Sequence, residues 1–159
     1  MNIKMEVAQE YGVSDYQFDE DGNKEPFKHR YCRITLKGSG EDGSDFSEEN
    51  MMSLEYWPEE TYEKQWREGL ERLKAHDTSC LISSVECPPK GAFVNCWTLY
   101  KIGNKIHVRN RMFFAHIYKK EIGKNIITTE NCYDLLLQRP RKIVNEDGKK
   151  ISEWVVSVE

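Results

Sequence analysis

Tyr56-Trp57-Pro58-Glu59-Glu60-Thr61-Tyr62-Glu63-Lys64-Gln65-Trp66-Arg67-Glu68-Gly69-Leu70-Glu71-Arg72-Leu73-Lys74 is the stretch whose pattern decides the fold. Tyr62, Trp66, Leu70 and Leu73 recur at spacings of four, four and three, which puts them on one face of an α-helix. Gly69 falls on that face, where the missing side chain lets another backbone approach. Pro58 suits the first helical position, where its absent N–H has no intrahelical partner to lose. Glu59, Glu60 and Glu63 set negative charge at the positive end of the helix dipole, and Arg72, Lys74 and His76 set cations at the other end. Glu60–Lys64, Glu63–Arg67 and Glu68–Arg72 are i,i+4 pairs in the favourable order, worth about 0.2–0.5 kcal/mol each. An amphipathic helix is therefore predicted over about residues 58–75, and its apolar face needs a sheet to cover.

The rest of the chain supplies strands. Ile3, Met5 and Val7 alternate with polar residues and predict a short opening strand. His29 to Leu36 alternates as well, with Tyr31 or Cys32, Ile34 and Leu36 competing for the buried face. Ser47 to Leu54 is read as a helical turn or an irregular lead-in to the main helix. Ser79 to Val85 is a strand, and Phe93–Ile102 and Lys105–Phe114 flank Gly103-Asn104 as a tight hairpin, because that dipeptide supplies positive φ at the turn. Ile122 to Tyr133 is read as a loop with a short strand, and Arg141–Val144 with Ile151–Val156 as a closing hairpin around Asn145-Glu146-Asp147-Gly148. This order predicts an α+β class: a mostly antiparallel β-sheet with one long amphipathic helix packed on one face, in a single domain over residues 1–159.

Cys32, Cys80, Cys87, Cys96 and Cys132 are odd in number and form no C-x-x-C pair, the usage of a reduced cytosolic protein. The opening residues lack the apolar core of a signal peptide, and no apolar run is long enough to span a bilayer, so a cytoplasmic location and no membrane partner are expected. The charge is uneven. Residues 1–60 carry 15 acidic and 6 basic side chains (−9), whereas residues 61–159 carry 12 and 17 (+5). An acidic first third argues against direct nucleic-acid contact and suits a basic partner; its plainer role is a solvated face that keeps the protein in solution.

No motif marks an active site. Cys80 or Cys87 with His107 or His116, and Asp77 nearby, are the residues a Cys–His pair would need, but no glycine elbow frames either cysteine. Cys80 sits beside Leu81 and Ile82, which is core composition. A zinc site from His29, Cys32 or Cys80 and Cys87 matches no standard spacing, so neither metal nor cofactor is expected. Lys105 to Phe114 mixes basic and aromatic residues as an RNA-reading strand does, yet it lacks the glycines of that pattern, and Phe113 and Phe114 point to opposite faces.

Leu54-Glu55-Tyr56-Trp57-Pro58, Tyr62-Glu63-Lys64-Gln65-Trp66 and Gly69-Leu70-Glu71-Arg72-Leu73 resemble the helix of immunity proteins from bacterial contact-dependent growth inhibition systems. Leu81-Ile82-Ser83-Ser84-Val85, Trp97-Thr98-Leu99-Tyr100 and Glu146 to Trp154 continue the resemblance, which spans roughly residues 54–154. The acidic N-terminal third lies outside it. The resemblance implies a non-enzymatic, cofactor-free protein that binds the C-terminal domain of a cognate secreted toxin one-to-one and covers its active site. Such a toxin is most often a nuclease. A nuclease site is a basic groove built for phosphate, so an inhibitor succeeds by presenting carboxylates. On charge and expected exposure alone, Asp19, Glu20 and Asp21 in one loop and Glu41, Asp42, Asp45, Glu48 and Glu49 in another are the candidate toxin-binding residues. Tyr11, Tyr16 and Phe18 are candidate aromatic anchors beside them, while Tyr56 and Trp57 are expected in the core at the helix entry. The alternative reading is a small cytosolic enzyme or an RNA-binding α+β domain.

Overall fold

A computed structural model describes residues 3–18, 20–40, 42–86, 93–114 and 127–157, the side chains of 9, 11–18 and 25–29 excepted. Strand β1 (Ile3–Phe18), β2 (Lys24–Ser39) and β3 (Asp45–Ser53) form one antiparallel sheet in that order. Helix α1 (Glu59–Arg72) follows. Strands β4 (Thr78–Val85), β5 (Phe93–Ile102), β6 (Lys105–Phe114) and β7 (Trp154–Ser157) form a second antiparallel sheet, with the short helix α2 (Cys132–Leu136) before β7. The α+β expectation holds: the fold is mostly antiparallel sheet with one long helix packed on it.

In the first sheet the pleat sorts side chains cleanly. Ile3, Cys32, Ile34, Leu36, Phe46 and Met52 are buried, whereas Lys4, Arg33, Lys37, Asp45 and Glu49 lie on the exposed side. Cys32, not Tyr31, therefore joins Ile34 and Leu36 in the core. β1 is far longer than the short strand anticipated, and a register shift between Val7 and Glu10 bends it. Ser47 to Ser53 is strand rather than helical turn, because Ser47 pairs Lys37 and Ser53 pairs Tyr31. β3 ends where β2 reaches Tyr31, so β1 and β2 continue beyond it as a two-stranded ribbon that closes at Phe18 and Lys24.

The second sheet is buried more deeply. Trp97, Leu99, Ile106, Val108 and Val156 are inaccessible and belong to the same core cluster as the first sheet and α1. Gly103 has φ +63° at the first central position of the β5–β6 hairpin, as a tight two-residue turn requires. Phe46 stacks on Trp154 with centroids 4.9 Å apart, joining the sheets. The closing hairpin is reduced to a single bridge between Val144 and Lys150, and β7 pairs with β6 instead. Of the predicted loop over 122–133, residues 122–126 lie outside the described residues, and Cys132 and Tyr133 open α2.

α1 docks by a mechanism that apolar periodicity only half reveals. Tyr62, Trp66 and Leu73 are buried as expected, and Leu70 is partly so. β4 has β5 as its strand neighbour and exposes its other edge to the helix. Gln65 Nε2 donates to the Cys80 carbonyl at 2.8 Å, while Gln65 Oε1 accepts from the Ile82 amide at 2.7 Å. Trp66 Nε1 donates to the Ile82 carbonyl at 2.7 Å. Two consecutive helix side chains thus take the place of a neighbouring strand and satisfy backbone groups that burial would otherwise penalise. Gly69 permits the approach: a Cβ there would stand 2.5 Å from the Cys80 carbonyl oxygen.

Two details of the helix differ from expectation. Pro58 occupies the N-cap with φ −71°, one position before the helix proper, and its carbonyl accepts from the Thr61 amide at 3.1 Å. The three anticipated i,i+4 pairs do not close. Lys64 turns to Glu68 at 3.7 Å, and Arg72 donates to the Thr78 carbonyl at 3.1 Å with its guanidinium 4.6 Å from the centre of the Tyr133 ring. Tertiary partners in a buried setting outcompete exposed pairs worth a few tenths of a kcal/mol.

Candidate interaction surface

The acidic residues singled out in the sequence occupy two separate places. Glu20 and Asp21 are exposed at the tip of the β1–β2 ribbon, beside Gly22 at φ +81°. Asp19 lies outside the described residues, as does Glu41, and the side chains of Tyr11, Tyr16 and Phe18 do too. The backbone register sets Tyr16 opposite Pro26 and Phe18 opposite Lys24, near that same tip. Asp42 lies in the β2–β3 turn, where its Oδ1 accepts from the Ser44 amide at 2.9 Å and from the Ser44 hydroxyl. These bonds from Ser44 hold its carboxyl below the ordinary aspartate value. Asp45 begins β3 and accepts from the Ser39 hydroxyl at 3.2 Å.

The two loops do not converge. They cap opposite ends of β2, a 16-residue strand whose contour at about 3.3 Å per residue is roughly 50 Å at most. Glu48 and Glu49, assigned to the second loop by sequence, are strand residues. Glu49 pairs with Arg33 at 3.1 Å on the exposed face. Glu48 points the other way and accepts from Trp97 Nε1, linking the two sheets.

A third acidic group escaped sequence reasoning. Glu59, Glu60 and Glu63 at the start of α1 are joined by Glu10 of β1 and by Glu55. Burial, and then the neighbouring Glu63 carboxylate, raise the proton affinity of Glu59 above that of an ordinary glutamate. Arg30 is the cation of this group: its Nε and Nη2 reach Glu10 at 2.9 and 2.6 Å, and its backbone amide donates to Glu55 at 2.7 Å. The helical carboxylates were legible as dipole partners, but the approach of Glu10 depends on strand register and has no local signal.

A charged cluster under the second sheet was also missed. Glu153, with 6% of its side chain exposed, accepts from Arg109 Nε at 2.8 Å, Arg141 Nη2 at 2.5 Å and His107 Nδ1 at 2.7 Å. Burial opposes ionisation of this carboxyl, and the three donors together outweigh it, holding the group down at about 2. Arg109 Nη1 and Arg141 Nε remain buried without hydrogen-bond partners. The cluster ties the C-terminal segment to β6 and is enclosed.

Among the described residues, Cys80 and His107 of the enzyme reading are each committed elsewhere. Cys80 is fully buried, with its thiol raised well above the ordinary value by its hydrogen bond to Cys132 and by burial. His107 is bonded to Glu153, while Cys87 and His116 lie outside the described residues. Among the described residues no group of three or more His, Cys, Asp or Glu side chains could hold a metal ion. On β6, Phe113 packs against the core and Phe114 is half exposed, so the strand presents no paired aromatic platform.

The described residues thus form a two-sheet α+β frame with a helix-sealed edge and carboxylates grouped on its surface. Comparison with known proteins identifies its family. The model of the CdiI N-terminal domain family matches residues 52–159, and the chain belongs to that family. Among solved structures it is similar to a chain of the CdiA-CT/CdiI toxin and immunity complex from Enterobacter cloacae, with 25% sequence identity and a TM-score of 0.59 over 94% of this chain and 90% of that one. A search among curated proteins finds no match. The resemblance read from residues 54–154 is thereby established at nearly the same boundaries.

Proposed function

We propose that this chain is an immunity protein that binds a cognate toxin domain and neutralises it by occupation. The observation that carries the reading is the likeness over 94% of the chain to a chain from a toxin and immunity complex, together with family membership through residues 52–159. The enclosed cysteines and the absence of a catalytic arrangement among the described residues suit a role in binding.

The finer reading is that the toxin domain is basic, a nuclease, held one-to-one in the cytoplasm with its active site covered by carboxylates. The net −9 of residues 1–60 supports it, since opposite potentials accelerate encounter and select partners. Glu20 and Asp21 with Asp19, Tyr16 and Phe18 form one candidate contact at the ribbon tip, and Glu41, Asp42, Asp45 and Glu49 a second, from which Glu48 is turned away toward Trp97. Because the two cap opposite ends of the 16-residue β2, one toxin active site meets one of them, and the ribbon tip, which extends beyond the end of β3, is the contact we favour. Co-expression of this chain with the C-terminal domain of the exported protein encoded beside it tests the reading: cells survive with the chain and die without it. Death in both conditions would refute it.

A further inference from the structure

A groove of about 560 Å³ between β1 and α1 carries an inference that rests on the immunity reading and extends it. Met5 and Val7 line one side and Leu70 the other, above Trp66; Met5, Val7 and Leu70 pack against the core yet stay partly exposed. Glu59 and Glu63 stand on the helical rim, within hydrogen-bonding reach of one another, with Glu10 and Glu60 close enough to add to their repulsion. Two cations also line the groove. Lys4 is already paired with Glu6 at 3.5 Å, and Arg67 has no carboxylate within ion-pair distance among the described residues. Arg30 compensates Glu10 and Arg67 stands nearby, yet the carboxylates of Glu10, Glu55, Glu59, Glu60 and Glu63 outnumber these two cations and leave this end of the groove net negative beside a partly exposed apolar floor. β1 is an edge strand with β2 as its neighbour, so its outer side borders the groove.

We propose that this groove receives an extended segment of the toxin domain in which lysine or arginine side chains neighbour apolar ones. The cations meet Glu59 and Glu63, and the apolar groups cover Met5, Val7 and Leu70. A second copy of this chain fits less well, since two chains that each carry a net charge of −4 repel, the +5 of residues 61–159 being outweighed by the −9 of residues 1–60. The family match begins at residue 52, so the α1 wall belongs to the shared domain and the β1 wall does not.

The test uses the full chain and the toxin domain encoded beside it. Glu59→Gln with Glu63→Gln keeps shape and removes charge, and is expected to weaken binding about tenfold with a shallower salt dependence. Glu146→Gln with Asp147→Gln, on the exposed C-terminal turn, is expected to leave binding unchanged. Amide hydrogen exchange of the unaltered proteins gives an independent readout: the amides of residues 3–7 gain protection in the complex. Tight binding by the unaltered chain, with unchanged affinity for the Glu59/Glu63 variant and no gain at residues 3–7, would overturn the groove and leave the immunity reading standing. No binding by the unaltered chain would overturn both.

Discussion

The Tyr62 hydroxyl donates to the Ser53 carbonyl at 2.7 Å, fastening α1 to the last residue of β3. The same oxygen accepts from the Val85 amide at 2.8 Å, so one side chain links both sheets through the helix. Burial drives the phenol's proton affinity up, and Tyr62 stays neutral as a donor across any physiological pH. Tyr62→Phe leaves a buried carbonyl and a buried amide unpaired while preserving ring volume. A loss of about 1–3 kcal/mol in urea unfolding is expected, and a loss below about 0.5 kcal/mol would show that the joint is made elsewhere.

Gly69→Ala tests the helix approach. The added Cβ would meet the Cys80 carbonyl oxygen at 2.5 Å and Leu81 Cδ2 at 3.0 Å, and a backbone carbonyl cannot swing aside. Alanine favours an isolated helix by about 1 kcal/mol over glycine, yet overpacking of this kind costs about 1–3 kcal/mol. A lower thermal midpoint is expected; a higher one would show that α1 stands further from β4.

Glu153→Gln probes the enclosed cluster. Removing the carboxylate leaves Arg109, 2% exposed, without its counter-charge, a change that costs about 3–5 kcal/mol in buried pairs. The pH dependence has a definite sign. The carboxyl is held at about 2 in the folded chain against an ordinary 4.5, so its contribution is complete above about 4.5 and is lost as pH falls toward 2. Unfolding free energy measured from pH 6 to pH 2 should fall more steeply for the unaltered protein than for the variant. Parallel curves would contradict this.

Asp19, Glu20 and Asp21 replaced together by alanine should slow association with the toxin domain and flatten its dependence on salt, with little change in dissociation. Stopped-flow mixing at several ionic strengths reads this directly. Unchanged association would remove the ribbon tip from the encounter surface.

The parts of the fold written in local pattern were legible in the sequence: the α1 face, the Gly103 hairpin, the alternation of β2 and the close approach at Gly69. What failed to appear locally depends on distant partners. Ser47 to Ser53 reads as helical or irregular because Glu48 and Asn50 interrupt its apolar face; both point inward to polar partners, Trp97 Nε1 and the Ser83 hydroxyl. Gln65 looks like a solvent-facing residue until β4 presents an edge for it to satisfy. The acidic residues were found by composition, but their separation along β2 and the third group around Glu59 follow from strand length and register, which composition does not encode. Family membership was legible in α1 and the second sheet, where the match lies.

Isothermal titration of the purified chain with the toxin domain encoded beside it tests the central claim most directly. The account predicts saturable one-to-one binding that weakens as salt rises. Absence of binding at low salt, with both proteins folded, would contradict it.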